Sequence, residues 1–167
     1  MILDHNTTAG LAWNTDGTYG TNVSYEESNI KPEVDKLVSV SKWVDTPRLI
    51  SAEEIAQITG YSNWNQNWYY LDSNSTTQTA KSQGASKYAW LFDYTNGCTS
   101  YGCNTADGTK YTNDYVWGYW TSTTKGTAGS GILVWGVYRP GSLESDGAYS
   151  TSYGVRPVIS ISKSKLS

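Results

Sequence analysis

The chain has 167 residues, a net charge of −3 and a pI near 5.0. That length suits one domain with a core of its own, and we take residues 1–167 as that domain. The charge and the lack of any basic stretch exclude a nucleic-acid backbone as partner. No run approaches the eighteen apolar residues of a membrane span and no signal peptide opens the chain, so an export signal or anchor is expected only upstream of it.

The aromatic balance is skewed, with 8 Trp and 14 Tyr against 1 Phe, while only 16% of residues are charged. Tyr and Trp suit both a small β-rich core with a wet rim and a recognition surface, where Ser, Gly and Asn add adaptable hydrogen bonds. So many aromatics argue against disorder.

In chain order, "MILDH" and "LAWN" lead into Asn14–Gly17, a turn-forming stretch that predicts an N-terminal β-hairpin. Asn14 and Asp16 supply one amide and one acid, too few for a calcium loop. Pro32 and the spacing of Val34, Leu37 and Val38 predict an amphipathic helix over 32–42. A second helix is marked by "RLISAEEIAQITG". Ser51 and Glu54 form a capping box, Ile50 and Ile55 a hydrophobic staple, Ile55 and Ile58 share a face, and Gly60 ends it. Glu53 and Glu54 suit the positive helix start better than acid–base chemistry.

Beyond Gly60, "WYYLD" and "YAWLFDY" read as short strands or extended segments, with 73–86 and most of 95–114 as long irregular loops. Three late strands follow, "YWTST", "GILVWGVYR" and "GVRPVISIS". In the second, Leu133, Trp135 and Val137 point one way, and Ile132, Val134, Gly136 and Tyr138 the other. In the third, Val155, Ile159 and Ile161 share a parity that opposes Val158. The expected class is α+β. Asn6, Asn22 and Asn74 match the glycosylation pattern, but a chain so rich in Asn, Ser and Thr produces such matches by chance.

Catalytic residue types are sparse. His5 is the single histidine, and no nucleophile elbow or phosphate loop is present. Two cysteines and one distant histidine do not form a zinc site, so neither a metal nor a cofactor is expected. Cys98 and Cys103 sit in "NGCTSYGCN". The turn-forming flanks favour a disulfide that staples the loop, contributing about 2–3 kcal/mol. Free thiols and a catalytic dithiol are the alternatives. A disulfide implies a compartment outside the reducing cytoplasm.

Two stretches carry a resemblance. "TPRLISAEEIAQITG" is similar to the helix entry of the formylglycine-generating-enzyme-like branch of the C-type lectin fold, and "YGVRPVISISK" to its terminal strand. "GYWTST", "VWGVYRPGSL" and "SYGVRPVISIS" together resemble the C-terminal halves of surface-domain families of gut Firmicutes, many of which carry a prepilin-like segment upstream. The resemblance implies a C-type-lectin-like fold with two helices, an antiparallel sheet, paired first and last strands and long irregular loops. It also implies a ligand surface on the late strands and loops, as in the variable proteins of diversity-generating retroelements. The enzymes of this branch carry a cysteine pair late in the chain. Cys98 and Cys103 precede "YWTST" and do not map onto it, and the calcium-dependent sugar motifs of animal lectins are missing.

The expectation is therefore a non-enzymatic binding or adhesion module, extracellular or at the cell surface, that takes a protein or glycan ligand. With Trp135, Val137 and Leu143 facing the core, Tyr138, Arg139, Ser142, Glu144, Asp146 and Tyr149 face out as the candidate ligand-binding residues. Tyr138 and Tyr149 would be stacking anchors, and Arg139 a fork for oxygens. Arg156 is expected to anchor the terminal strand through nearby carbonyls. A thiol oxidase and a structural pilin-like subunit are the alternatives from other classes.

Overall fold

The computed structural model describes residues 2–3, 6–8, 10–15, 24–40, 46–59, 89–91, 118–128, 131–138, 142–160 and 164. In chain order these form a 3-10 turn (Tyr25–Glu27), helices α1 (Lys31–Val40) and α2 (Ala52–Thr59), and a second 3-10 turn (Ala89–Leu91). Strands β1 (Gly118–Ala128), β2 (Gly131–Tyr138), β3 (Ser142–Gly147) and β4 (Tyr153–Gly154) follow. The class is α+β.

The helix signals act locally. Ser51 Oγ accepts the Glu54 N–H at 3.1 Å, and Glu54 Oε2 accepts the Ser51 N–H at 2.8 Å, so the capping box is closed in both directions. Ile50 and Ile55 are buried together. Arg48 grips the same Glu54 carboxylate with its two terminal guanidinium nitrogens, Nη1 and Nη2, at 2.7 and 2.6 Å. That hydrogen bonding, stronger than the opposing desolvation, holds the Glu54 carboxyl below its ordinary pKa.

Apolar spacing overstated the buried stripe of each helix. In α1, Val34 is buried but Val38 is exposed. In α2, Ile58 is exposed, and Thr59 is buried beside Ile55 instead. Thr59 tolerates that position because its hydroxyl donates to the Ile55 carbonyl at 2.8 Å. Gly60 lies outside the described residues. Of the strand or extended segment expected at "YAWLFDY", the described residues Ala89–Leu91 form a 3-10 turn, with Leu91 buried and Trp90 exposed.

The sheet runs in the order β3-β2-β1-β4. β1–β2 and β2–β3 are antiparallel, whereas β4 pairs in parallel with β1 through Gly118↔Tyr153 and Tyr119↔Gly154. The expectation of a wholly antiparallel sheet is therefore corrected. After β3 the chain passes to the far edge of β1 and enters it in the same direction, for only two residues.

The turn and return strand of the expected N-terminal hairpin, from Asp16 onward, lie outside the described residues. The described residues ahead of that turn lie against the C-terminal segment. Ile2 bridges Val158, and the N–H groups of Leu3, Thr7, Leu11 and Asn14 donate to the carbonyls of Pro157, Val155, Tyr153 and Ala148. Val158 also exchanges two backbone bonds with Arg48, at 2.7 and 3.0 Å. Asp16 and Gly17 lie outside the described residues.

Two apolar clusters cover opposite sides of the sheet. The first joins Ile50, Ala52, Ile55, Leu91, Tyr119, Trp135, Val137 and Leu143. The second joins Trp13, Ile30, Val34, Leu49, Trp120, Ile132, Val134, Ala148, Tyr153 and Val155. The alternation read in β2 is thus correct, but both of its faces are buried.

"YWTST" explains how the two clusters meet. Tyr119 enters the first and Trp120 the second. Between Trp120↔Gly136 and Thr124↔Val134, three residues of β1 oppose one of β2. This bulge frees polar groups for the entry of α2. Thr121 Oγ1 donates to the Trp135 carbonyl at 2.7 Å, and the Ser122 N–H donates to the Ile50 carbonyl at 3.0 Å. Thr123 Oγ1 accepts the Ala52 N–H at 3.0 Å and donates to Glu53 at 2.7 Å. Desolvation pushes the Glu53 pKa up, but hydrogen bonds, that from Thr123 foremost, hold it below its ordinary value.

Arg156 has the architectural place expected of it. It is 3% exposed, its Nε donates to the Leu3 carbonyl at 2.6 Å, and its Nη1 donates to the Leu91 carbonyl at 3.1 Å. Its guanidinium also lies over the Tyr119 ring, whose hydroxyl donates to the same Leu91 carbonyl. One side chain thereby ties together both terminal segments, the 3-10 turn and β1. Asn6 is 1% exposed and its Nδ2 donates to the Gly118 carbonyl at 3.0 Å, so in the folded chain the first glycosylation match is a packing residue. Asn22 and Asn74 lie outside the described residues.

Candidate functional site

The candidate surface is built on the β2–β3 hairpin and the turn after it. Six pairs from Tyr138↔Ser142 to Leu133↔Gly147 hold the hairpin in register. Residues directly opposite one another in an antiparallel pair point to the same side. Leu133, Trp135, Val137, Leu143, Ser145 and Gly147 therefore share one side, that of the first cluster. Val134, Gly136, Glu144 and Asp146 share the other.

That register divides the six candidate residues. Glu144 and Asp146 are neighbours on the side of the second cluster and are half-buried there. The side they were expected to present to solvent is the one onto which Trp120 and Tyr153 pack. Asp146 Oδ1 accepts the Gly147 N–H at 2.7 Å. Tyr138 and Ser142 close the hairpin through their backbones, while their side chains and the whole of Arg139 lie outside the described residues.

Tyr149 goes the other way. Its side chain is 66% exposed, the most of any large apolar side chain among the described residues. A Cβ on Gly147 would lie 2.6 Å from Tyr149 Cε1 and 2.9 Å from Cζ, so the ring rests on the bare backbone of Gly147. Gly147 shares the parity of Ser145, so a ring lying where its Cβ would project sits on the side of Ser145 and Trp135, away from Glu144 and Asp146. The turn holds it there. The Ala148 N–H donates to the Ile132 carbonyl at 2.9 Å, the Ser150 N–H to the Gly147 carbonyl at 2.9 Å, and Ala148 is buried in the second cluster.

One neighbour on that side was not anticipated from sequence. A second register shift, between Thr124 and Gly126, leaves Lys125 as an extra residue in β1. Its ammonium lies 4.7 Å from the centre of the Trp135 ring and donates to Ser145 Oγ at 3.0 Å. Lys125 forms no ion pair with any carboxylate among the described residues. Gly126, in the left-handed region at φ 98°, was the available signal, because a glycine inside a strand often marks a bulge.

Away from this surface, Tyr25 packs on Trp13 with ring centres 6.0 Å apart. The Leu49 N–H approaches its buried hydroxyl without meeting hydrogen-bond geometry. Burial, then the charges of Asp35 and Glu26, push the phenol pKa up to about 12. Cys98, Cys103 and His5 lie outside the described residues. Among the described residues no three His, Cys, Asp or Glu side chains converge as metal ligands would, and no helix is long and apolar enough to cross a membrane.

Comparison of the chain with family models, with curated proteins and with solved structures finds no match.

Proposed function

We propose that this chain is an extracellular ligand-binding or adhesion module of C-type-lectin-like architecture, with its ligand surface in the segment from Tyr138 to Tyr149. The observation that carries the reading is Tyr149. Most described aromatic side chains are in the two clusters, whereas this one is exposed and backed by Gly147 in a hydrogen-bonded turn. An exposed aromatic already held in place binds with little further loss of entropy. The C-type-lectin-like reading draws support from the order of two helices before the late strands, and from the N-terminal segment running antiparallel to the C-terminal one.

The test is binding to an immobilised panel of purified glycans and extracellular proteins. Wild type should retain a discrete subset, and Tyr149→Ala should lose it by at least tenfold with an unchanged urea midpoint. Thiol titration of the native protein should find no free thiols. Replacing Cys98 and Cys103 by serine should lower stability while sparing binding. Free low-pKa thiols with bound copper, or binding indifferent to Tyr149, would refute the proposal.

A further inference from the structure

We infer that the side of the sheet carrying Tyr149 and Lys125 is a subsite for a negatively charged saccharide, a pyranose bearing a carboxylate. The inference rests on the binding-module reading and assigns the class of ligand.

Three groups converge there. The Tyr149 ring rests on Gly147 with 66% of the side chain exposed, so it offers a flat aromatic surface to solvent. Two residues back along β3, on the same side, Ser145 Oγ accepts the Lys125 ammonium at 3.0 Å. Trp135, paired with Ser145, lies under that ammonium at 4.7 Å and steers it along the sheet surface. A strand advances about 3.3 Å per residue, so Ser145, which accepts from the ammonium, and Gly147, which carries the ring, are about 7 Å apart along β3.

That separation selects a ligand shape. The π-face of a tyrosine is negative and attracts the slightly positive C–H face of a pyranose laid flat on it. From the centre of a pyranose ring to the oxygens of a carboxylate on its C5 is about 4 Å by ordinary bond lengths. A charge-assisted hydrogen bond to an ammonium adds about 2.8 Å. The total is of the order of the Ser145–Gly147 spacing, so a uronic acid stacked on Tyr149 can direct its carboxylate toward Lys125. A neutral sugar would stack without using the ammonium. A short acidic side chain would reach the ammonium without covering the ring.

The electrostatics agree despite the net charge of −3. The acidic pair of β3, Glu144 and Asp146, points to the opposite side of the sheet. An anion at Lys125 therefore does not face them directly. Lys125 is exposed and makes no ion pair among the described residues, so binding the carboxylate breaks no salt bridge there.

Titration with trigalacturonate and with its methyl ester, followed by amide NMR and calorimetry, tests the inference. The acid should shift the amides of Lys125, Ser145, Gly147 and Tyr149, and it should weaken as NaCl is raised from about 50 to 500 mM. Lys125→Gln should weaken it about tenfold and Tyr149→Ala abolish it, with urea midpoints unchanged. Lys36→Gln, which removes an exposed cation on α1 away from this surface, should leave it within about twofold. Equal binding of acid and ester would overturn the charge assignment and leave the module reading standing. The same holds if shifts fall on the Glu144 and Asp146 side. If the acid gives no shift while the panel still shows Tyr149-dependent binding, the saccharide class alone is wrong. If the panel too shows none, both readings fail.

Discussion

Replacing Gly136 with alanine places a methyl group where a ring already sits. The new Cβ would lie 2.6 Å from Cε1 and 2.8 Å from Cδ1 of Tyr153, and 3.2 Å from the Tyr119 carbonyl oxygen. Carbon atoms in contact prefer about 3.5–4.0 Å, so the ring would have to retreat by about 1 Å. It has nowhere to go. Tyr153 is 4% exposed and stacks on Trp120 at 4.4 Å. Trp120 is itself fully buried and is pinned by its Nε1–H to the Leu11 carbonyl at 2.7 Å. Overpacking of this kind costs about 1–3 kcal/mol. Alanine recovers about 0.4–1 kcal/mol by narrowing the unfolded ensemble, which leaves a net loss of about 1–2 kcal/mol. Urea denaturation followed by tryptophan fluorescence reads this as a lower midpoint at constant slope. A double-mutant cycle isolates the cause. Tyr153→Leu destabilises by itself, but on that background the alanine should cost close to nothing, a coupling of about 1–2 kcal/mol. Gly126→Ala is the control. Nothing lies within 4 Å of its Cβ, but its φ is 98°, so its cost of about 1–2 kcal/mol is backbone strain and should not change with Tyr153→Leu. A neutral Gly136→Ala, or an equal penalty on both backgrounds, would refute the placement of Tyr153 against β2.

Three further outcomes follow from single side chains. Asn6→Asp aims a carboxylate at the Gly118 carbonyl in a site 1% exposed, so it should destabilise at pH 7 by several kcal/mol and recover as acid protonates it, seen as urea midpoints rising from pH 7 to 4 relative to wild type. Tyr25→Phe removes a buried hydroxyl without a well-aligned partner and should be close to neutral at pH 7. Because burial raises the Tyr25 pKa from 10.0 to about 12, wild type should lose stability relative to Tyr25→Phe as pH rises from 10 to 12, and not below that range. Glu54→Gln should lower the urea midpoint at pH 7. Arg48 depresses the folded pKa of Glu54, so its contribution is present above the ordinary value of 4.5, and the gap between the two proteins should close as pH falls through the lower folded value.

The legible parts of the chain are those whose causes lie within a few residues. Ser51 and Glu54 are three apart, and the capping box they announce is the one that forms. The alternation from Ile132 to Val137 separates two clusters as the period of two requires. Apolar spacing proved weaker at helix ends. Val38 and Ile58 fit the stripe, but packing extends only as far as neighbouring elements reach. The facing of the candidate residues was legible only in part. Glu144 and Asp146 were placed by parity opposite Trp135 and Leu143, as they are, yet the second cluster packs on that side of the sheet. Tyr149 lies beyond the end of β3, and the direction of its ring follows from the turn and from Gly147, which parity alone does not specify.

The sequence by itself determined the α+β class, the start of α2 and the alternation of β2, because capping and the strand period are set by residues a few positions apart; it did not announce β3, and the carbonyls that Arg156 anchors, those of Leu3 and Leu91, are far from it in the chain. Only the tertiary structure decided that Ile2, Leu3, Thr7, Leu11 and Asn14 lie along residues 148–158, that β4 enters parallel to β1, and that Lys125 meets Ser145 and Trp135. Backbone hydrogen bonds carry no residue identity, so a strand's sequence says that it needs a partner and not which one. The choice is made by the burial of Trp13, Trp120 and Tyr153 against one another, and those residues are separated by up to 140 positions in the chain.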